Sequence, residues 1–279
     1  SSREDGCGKG VNVALMSKEL GMESSCIGYL FNDNGALIGQ RLKDAGSEEA
    51  CIWLPGKVRT NLKVFDRENS RITEINESGD YISEADRERM IALVKEYAGK
   101  CDTMVFTGSL PPGCPADFYK TLMEATEGKC KCVLDAEGEK LTEGMKAKPF
   151  LIKPNHHELA ATVGRELHTL GDIRAAAQTF VDGGVRHVVV SLGKDGALYV
   201  GVEGCFYAPE IPVEVRSTVG AGDALVGGLL YGLVKHGTMR EGFRAGAAAG
   251  TASVMTEGTQ LINLDDFERL LTQVQIQDL

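Results

Sequence analysis

An α/β fold built on a mostly parallel sheet is predicted by three features of the sequence. Short apolar runs alternate with amphipathic stretches along most of the 279 residues, and strands alternating with helices make βαβ units with a sheet covered on both faces. Some runs are apolar without a break, as in Val188-Val189-Val190, the pattern of a parallel strand buried on both sides. The alternation fails in only two places, 50–77 and 198–215, where strand-like segments follow one another without a helix.

In chain order, strands are expected at 25–31, Thr103–Thr107, 132–135, 150–152 and His187–Ser191. Helices are expected at 13–20, Glu84–Ala98, 115–126, His156–Val163 and 173–182. Region 50–77 shows period-two patterning in Asn61-Leu62-Lys63-Val64-Phe65, with a turn at 66–70. It reads as a small antiparallel flap, a β lid set against the main sheet. Region 198–215 reads as further strands extending the sheet. Helices follow at 221–235, 239–255 and 264–274. In the second of these, Ala245-Gly246-Ala247-Ala248-Ala249-Gly250 suits either close helix packing or close approach of a flat ligand. Residues 1–279 fit a single α/β domain.

An apolar fraction of 43% and a charged fraction of 25% are those of a soluble globular protein. No apolar run approaches the ~20 residues that span a bilayer, and the opening SSREDGCGKG has no apolar segment of a secretory signal. The net charge of −10 speaks against nucleic acid or an anionic membrane as partner. A phosphate site must therefore be assembled locally from a few cations and backbone amides. The eight cysteines form no CxxC pair; they read as free thiols of a cytoplasmic protein.

The sharpest motif is Ser217-Thr218-Val219-Gly220-Ala221-Gly222-Asp223, read as lying between a strand at 211–215 and a helix. A helix N-terminus presents unpaired N–H groups and about half a positive charge, and small residues let an anion approach them. Gly220, Ala221 and Gly222 thus form an anion hole suited to a transferred phosphoryl group. Asp223 beside it can accept a proton from a substrate hydroxyl. The same string also fits a helix start carrying a stabilising Asp.

Gly8-Lys9-Gly10-Val11-Asn12 offers backbone access at Gly8, a point charge at Lys9, and a donor and acceptor at Asn12, which suits a polyol or sugar phosphate. It lacks the Ser/Thr and glycine spacing of a Walker A loop. In Lys153-Pro154-Asn155-His156-His157-Glu158, Asn155 and Glu158 share a helix face and suit Mg²⁺ held through water. They equally suit a capping box. Ser191-Leu192-Gly193-Lys194-Asp195-Gly196 reads as a hairpin turn or a nucleotide-phosphate turn at a strand's carboxyl end. Ser109 follows another strand at the same edge. Arg59 and Lys63 on the flap suit a phosphate clamp or a solvated face.

Taken in order, Gly8–Asn12, Arg59-Thr60-Asn61, 108–113, 153–158, 191–196 and 217–223 resemble the ribokinase-like superfamily and, within it, the phosphofructokinase-B-type sugar kinases such as 1-phosphofructokinase and tagatose-6-phosphate kinase. The resemblance implies a ribokinase-like three-layer fold with a β-sheet lid, often shared between two subunits of a homodimer. It implies ATP and Mg²⁺ as cofactors, with Lys153, Asn155, Glu158, Ser191, Gly193, Ser217 and Thr218 on their side and Gly8, Lys9, Asn12, Arg59 and Ser109 on the phosphosugar side. Asp223 is then the base in an in-line transfer, with fructose 1-phosphate as the leading acceptor. Tagatose 6-phosphate, fructose 6-phosphate or an unphosphorylated sugar are alternatives, as is a non-catalytic sensor of sugar phosphate or nucleotide. The resemblance further implies an opening strand bearing a sugar-gripping Asp and then a lid strand; the chain is expected to start after both. Cys7 stands where the family has a common Gly, and Ala224 where Ser is frequent.

Overall fold

Residues 5–66, 71–258 and 260–279 are described by a computed structural model. The chain opens with α1 (Lys9–Glu19), then β1 (Ser25–Cys26), β2 (Tyr29–Phe31), α2 (Ala36–Asp44), β3 (Glu48–Glu49) and β4 (Ile52–Leu54). The hairpin strands β5 (Asn61–Asp66) and β6 (Arg71–Asn76) follow. The α/β body continues with α3 (Glu84–Ala98), β7 (Thr103–Thr107), α4 (Phe118–Ala125), β8 (Lys131–Asp135), α5 (Glu139–Met145), β9 (Leu151–Ile152), α6 (His156–Val163), α7 (Leu170–Asp182) and β10 (His187–Ser191). It ends with β11 (Ala197–Gly201), β12 (Gly204–Ala208), α8 (Ala221–His236), α9 (Met239–Val254), α10 (Leu264–Gln273) and β13 (Gln277–Asp278).

The main sheet runs β13-β12-β11-β10-β9-β8-β7. From β7 to β10 the strands are parallel, and β11 to β13 add antiparallel. Side-chain alternation divides the core between its two faces. Val133, Leu151, Val189 and Tyr199 pack with α1, α8, α9 and α10. Leu134, Ile152, Val188 and Val190 pack with residues from α3 to α7. The result is three layers, as the alternating apolar runs require.

Helix starts follow local chemistry. Ser83 Oγ accepts the Asp86 N–H at the start of α3, and reciprocal capping boxes join Asn155 with Glu158 and Thr169 with Asp172. The small-residue run of α9 serves helix packing. A Cβ on Gly246 would sit 2.9 Å from Leu225 O, and one on Gly228 2.5 Å from both Ala245 O and Ala249 Cβ.

Several expectations change. Segment 25–31 divides at Ile27-Gly28 into β1 and β2, which pair in parallel with β3 and β4 and lie outside the main sheet. Within 50–77 only β5 and β6 form the antiparallel flap, and 67–70 of its expected turn lies outside the described residues. Segment 211–215 is not a strand; Pro209 and Pro212 lack the N–H groups a ladder needs. Finally α1 begins at Lys9 rather than 13, so the Gly-Lys-Gly-Val-Asn motif supplies its N-cap and first turn. All eight cysteines are free thiols.

Gly228→Ala isolates the α8–α9 packing constraint. Helix propensity alone favours alanine by about 1 kcal/mol, but the methyl group meets backbone and Cβ atoms, an overpacking cost of about 1–3 kcal/mol. Urea unfolding followed by circular dichroism is expected to show a net loss of stability; a gain would contradict the packing account.

Candidate active site

The carboxyl ends of β7, β8 and β9 meet the N-termini of α1 and α8. In open parallel sheets this edge holds ligands, because strands end there and helices begin. Thr107 closes β7, Asp135 closes β8, and Lys153 follows β9 directly.

The first turn of α1 connects the centre. Lys9 and Asn12 are three apart and project from one face. Lys9 Nζ lies 3.4 Å from Asp135 Oδ2, and Asn12 Nδ2 donates to Asp223 Oδ2 at 2.8 Å. Lys153 Nζ stands 3.3 Å from Asp135 Oδ1, and Thr107 Oγ1 donates to Asp135 Oδ2 at 3.2 Å. Asp135 and Lys153 are buried, with side chains 1% and 5% exposed. Asp135 Oδ1 and Asn12 Oδ1 are buried without a hydrogen-bond donor.

Asp223 is the third residue of α8 and is 6% exposed. Its carboxyl is pushed up to about 6, chiefly by burial. Asn12 opposes the rise, Asp135 adds to it, and Lys9 and Lys153 lower it. A solvated helix-start Asp would show neither the burial nor the shift, which separates Asp223 from a mere helix stabiliser. Burial works against the Lys9 charge, but Asp135, then Glu158 and Asp223, more than offset it and hold the ammonium above its ordinary value.

Gly220 caps α8 in the left-handed region at φ 83°, which favours glycine. A Cβ on Gly222 would sit 3.2 Å from Lys153 Nζ, so glycine there leaves the ammonium beside the helix's open amides. Two cations and the α8 dipole thus face a place where a transferred anion can sit.

These are the features of a phosphoryl-transfer centre, and the sequence comparison decides the family: residues 3–266 match the pfkB family carbohydrate kinases. The chain belongs to the pfkB family. It is 33% identical to 1-phosphofructokinase of Escherichia coli K12 over 271 residues, 97% of this chain and 86% of that protein. The Haemophilus influenzae 1-phosphofructokinase is 36% identical over 271 residues, 96% of this chain and 86% of that one. Among solved structures, E. coli phosphofructokinase-2 in complex with potassium has a TM-score of 0.89 at 33% identity, covering 95% of this chain and 87% of that chain. As a pfkB kinase, the chain is a phosphotransferase with an alcohol acceptor and a ribokinase-like fold.

The structure brings together Lys9, Asn12, Lys153, Gly222 and Asp223 of the residues singled out in the sequence. Gly8 is the N-cap of α1. Ser191 adjoins Asn155 through a backbone bridge, and Gly193 lies exposed in a 3-10 turn. Ser217 Oγ accepts the Val219 N–H and braces the turn into α8; Thr218 is exposed. Arg59 and Ser109 line a large cleft together with Gly10 and Thr107. Asn12, Gly220 and Asp223 line a separate cavity of about 20 Å³, about one water's worth of space. The side chain of Lys63 is outside the described residues.

Asp135 is the residue that the sequence reading did not assign to the site. Its signal was an Asp ending an apolar parallel strand at the ligand edge.

For a divalent cation the donor set fits binding through water. Glu158 uses Oε2 to accept the Asn155 N–H at 2.8 Å, and Asn155 Oδ1 accepts the Glu158 N–H at 2.9 Å. The capping box therefore forms, while Glu158 keeps its second oxygen for a metal-bound water. Among the described residues no cluster of three His, Cys, Asp or Glu side chains forms a ready-made metal site.

Asp135→Asn removes a neighbouring negative charge and frees two ammonium groups. Both changes act in one direction, so the Asp223 carboxyl is expected to titrate below its present value of about 6. Carbon-detected NMR titration reads this directly, and an unchanged or raised value would contradict the electrostatic account. Because Asp223 is raised in the folded state, its contribution to stability is present below about pH 4 and lost as pH rises through about 6, roughly 3 kcal/mol in all. Asp223→Asn, with no charge to bury, is expected to unfold at higher urea than the parent at pH 7.5, by about 2 kcal/mol.

Proposed function

We propose that this pfkB kinase transfers the γ-phosphate of ATP to a ketohexose phosphate, with fructose 1-phosphate as acceptor and fructose 1,6-bisphosphate as product. One observation carries the proposal: a buried carboxylate titrating near pH 6 stands at the N-terminus of α8, oriented by Asn12.

Asn12 engages Asp223 Oδ2, which leaves Oδ1 to accept the acceptor hydroxyl's proton. The oxygen then attacks the γ-phosphorus as its bond to ADP breaks. Lys9, Lys153 and the amides of Gly220 to Gly222 meet the charge on the transferring group. Arg59 at the base of the flap receives the phosphate of the sugar, and Ser109 lines the same acceptor cleft. Asn155, Ser191, Gly193, Ser217 and Thr218 take the nucleotide side. Bound Mg²⁺, held through water by Glu158 and Asn155, would neutralise phosphate charge.

Similarity to E. coli phosphofructokinase-2 in complex with fructose-6-phosphate, with a TM-score of 0.87 at 31% identity, supports fructose 6-phosphate as a second acceptor. The exposed cross-strand pair Leu62 and Ile75 on the flap, 53% and 57% exposed, supports a homodimer joined through the lid. Among the described residues no helix is long and apolar enough to cross a membrane.

Asp223→Asn is expected to lose at least ~100-fold in kcat while still binding ATP; near-normal turnover would refute its role as base. In the parent, kcat/KM is expected to fall as pH drops through about 6, since a protonated carboxyl cannot accept the hydroxyl proton. ADP release across a phosphosugar panel names the acceptor. Arg59→Ala raises KM strongly for a phosphosugar and little for a neutral sugar, so an unchanged phosphosugar KM would remove Arg59 from the site.

A further inference from the structure

Arg59 stands where the chain enters the flap, shortly before β5 begins at Asn61, and it is exposed. Residues 55–60 lie between β4 and β5, outside any helix or strand. A side chain that must bind an anion gains from a backbone already held in place. Here the holding is done by the turn that joins β2 to α2. Asn32 N–H donates to Leu54 O and Asp33 N–H to Gly56 O, both at 2.9 Å. Asn34 then fastens the next residue with its side chain. Its Oδ1 accepts the Val58 N–H at 2.7 Å, and its Nδ2 donates to Val58 O at 2.9 Å. One amide thus serves both backbone groups of one residue, as a neighbouring strand would.

This clamp is itself held. Gly35 N–H closes the turn behind Asn34 by donating to Phe31 O at 2.8 Å. A Cβ on Gly35 would lie 2.6 Å from that same oxygen, so the turn has room for glycine only. Val58 packs its side chain against two apolar clusters, one containing Leu30 and Ile38 and the other Phe31 and Ile82. Lys57 N–H donates to Asp80 Oδ2, and Thr60 N–H to Glu77 Oε2, each at 2.8 Å. On both sides of Arg59, backbone N–H groups are therefore taken by side chains. Gly79 lies against Arg59 itself, where an added Cβ would stand 3.4 Å from Arg59 Cβ.

We propose that Asn34 is a positioning residue for Arg59: its two hydrogen bonds to Val58 set where the guanidinium stands in the cleft, and so set the affinity for the acceptor's phosphate. This rests on the role proposed above for Arg59 and extends it to a residue that makes no contact with the substrate. Val58 and Arg59 line the same cleft as Gly79, Asp80 and Ser109. A guanidinium grips phosphate through a fork of fixed geometry, so an anchor that drifts loses the two-point match. The side-chain amide suits the task because it carries an acceptor and a donor side by side. Alanine removes both. Aspartate keeps the acceptor but sets a second carboxylate oxygen against Val58 O. The clamp has no part in the Lys9–Asp135–Lys153 cluster or in the bond from Asn12 to Asp223. Its effect therefore falls on acceptor binding and not on the chemical step.

Steady-state kinetics with ATP and fructose 1-phosphate, and in parallel fructose 6-phosphate, test the clamp. Asn34→Ala is expected to raise KM for the phosphosugar about 5–10-fold. Its kcat and its KM for ATP are expected to stay within about 2-fold of the parent. In an Arg59→Ala background the same change is expected to add less than about 2-fold, because the residue it acts through is gone. Hydrogen exchange is expected to run at least ~10-fold faster at amide 58 in Asn34→Ala than in the parent. Asn34→Asp keeps the size and the acceptor, and it serves where alanine fails to fold; the lost donor is expected to raise the phosphosugar KM at least ~3-fold. The proposal is overturned if KM for the phosphosugar is unchanged in the Asn34 variants, or if KM for ATP rises in step with it. It is equally overturned if Asn34→Ala costs as much in the Arg59→Ala background as in the parent, the mark of a merely structural role. Arg59→Ala alone separates the two levels. A normal phosphosugar KM in that variant removes Arg59 from the site and the clamp's role with it. An impaired Arg59→Ala beside normal Asn34 variants overturns the clamp and leaves the proposed function standing.

Discussion

The site depends on holding two buried carboxylates and a buried ammonium group together with a second, part-exposed ammonium at their edge. Asp135 is buried between Lys9 and Lys153, and Asp223 is buried within reach of their fields. Burying a lone charge is expensive, so each needs partners. Asp135 supplies the negative charge that lets Lys153 remain buried against Gly222. Among the described residues the Asp223 carboxylate receives a single hydrogen bond, from Asn12, and is left raised. The asymmetry supports the proposed division of roles: the well-partnered acid would position cations, and the poorly partnered one would take the hydroxyl proton.

That arrangement requires the fold to converge at one edge. Asp135 ends β8 and Lys153 directly follows the neighbouring parallel strand β9, and α1 and α8 deliver Asn12 and Asp223 from the layer packed against one sheet face. α8 in turn is fixed by close approach to α9, where Gly228 and the small residues of α9 replace side-chain bulk with backbone contact. The glycines at this interface give up helix propensity for the placement of one helix N-terminus.

The three-layer architecture was legible in the sequence because it is written in periodicities: unbroken apolar runs for β7 to β10, amphipathic spacing for α3, α6 and α7. Asp223 was legible because glycine spacing, a helix start and an acid coincide within seven residues. Asp135 was not, since an Asp closing a strand looks like any turn-forming Asp until strand register sets it beside Lys153. The strand expected at 211–215 does not form, because Pro212 within it and Pro209 just before it have no N–H to give a ladder. The division of 25–31 at Gly28 depended on partners distant in sequence, β3 and β4, which local pattern does not reveal.

The unequal burial of the two halves bears on how the enzyme works. The centres of β8 to β11 are packed to near-zero exposure, and this half carries Asp135, Lys153 and the turn at Gly193 proposed for the nucleotide. Beyond β7 lie short strand pairs, the β5–β6 hairpin and a cleft lined by Arg59 and Ser109. Phosphoryl transfer needs the cations and base fixed to fractions of an ångström, whereas the acceptor must enter and the product must leave. In the proposed reaction a β5–β6 flap closing over the acceptor would exclude water from the transfer. The division between a buried charge cluster and an open acceptor side therefore follows from where the apolar runs are continuous and where they are not.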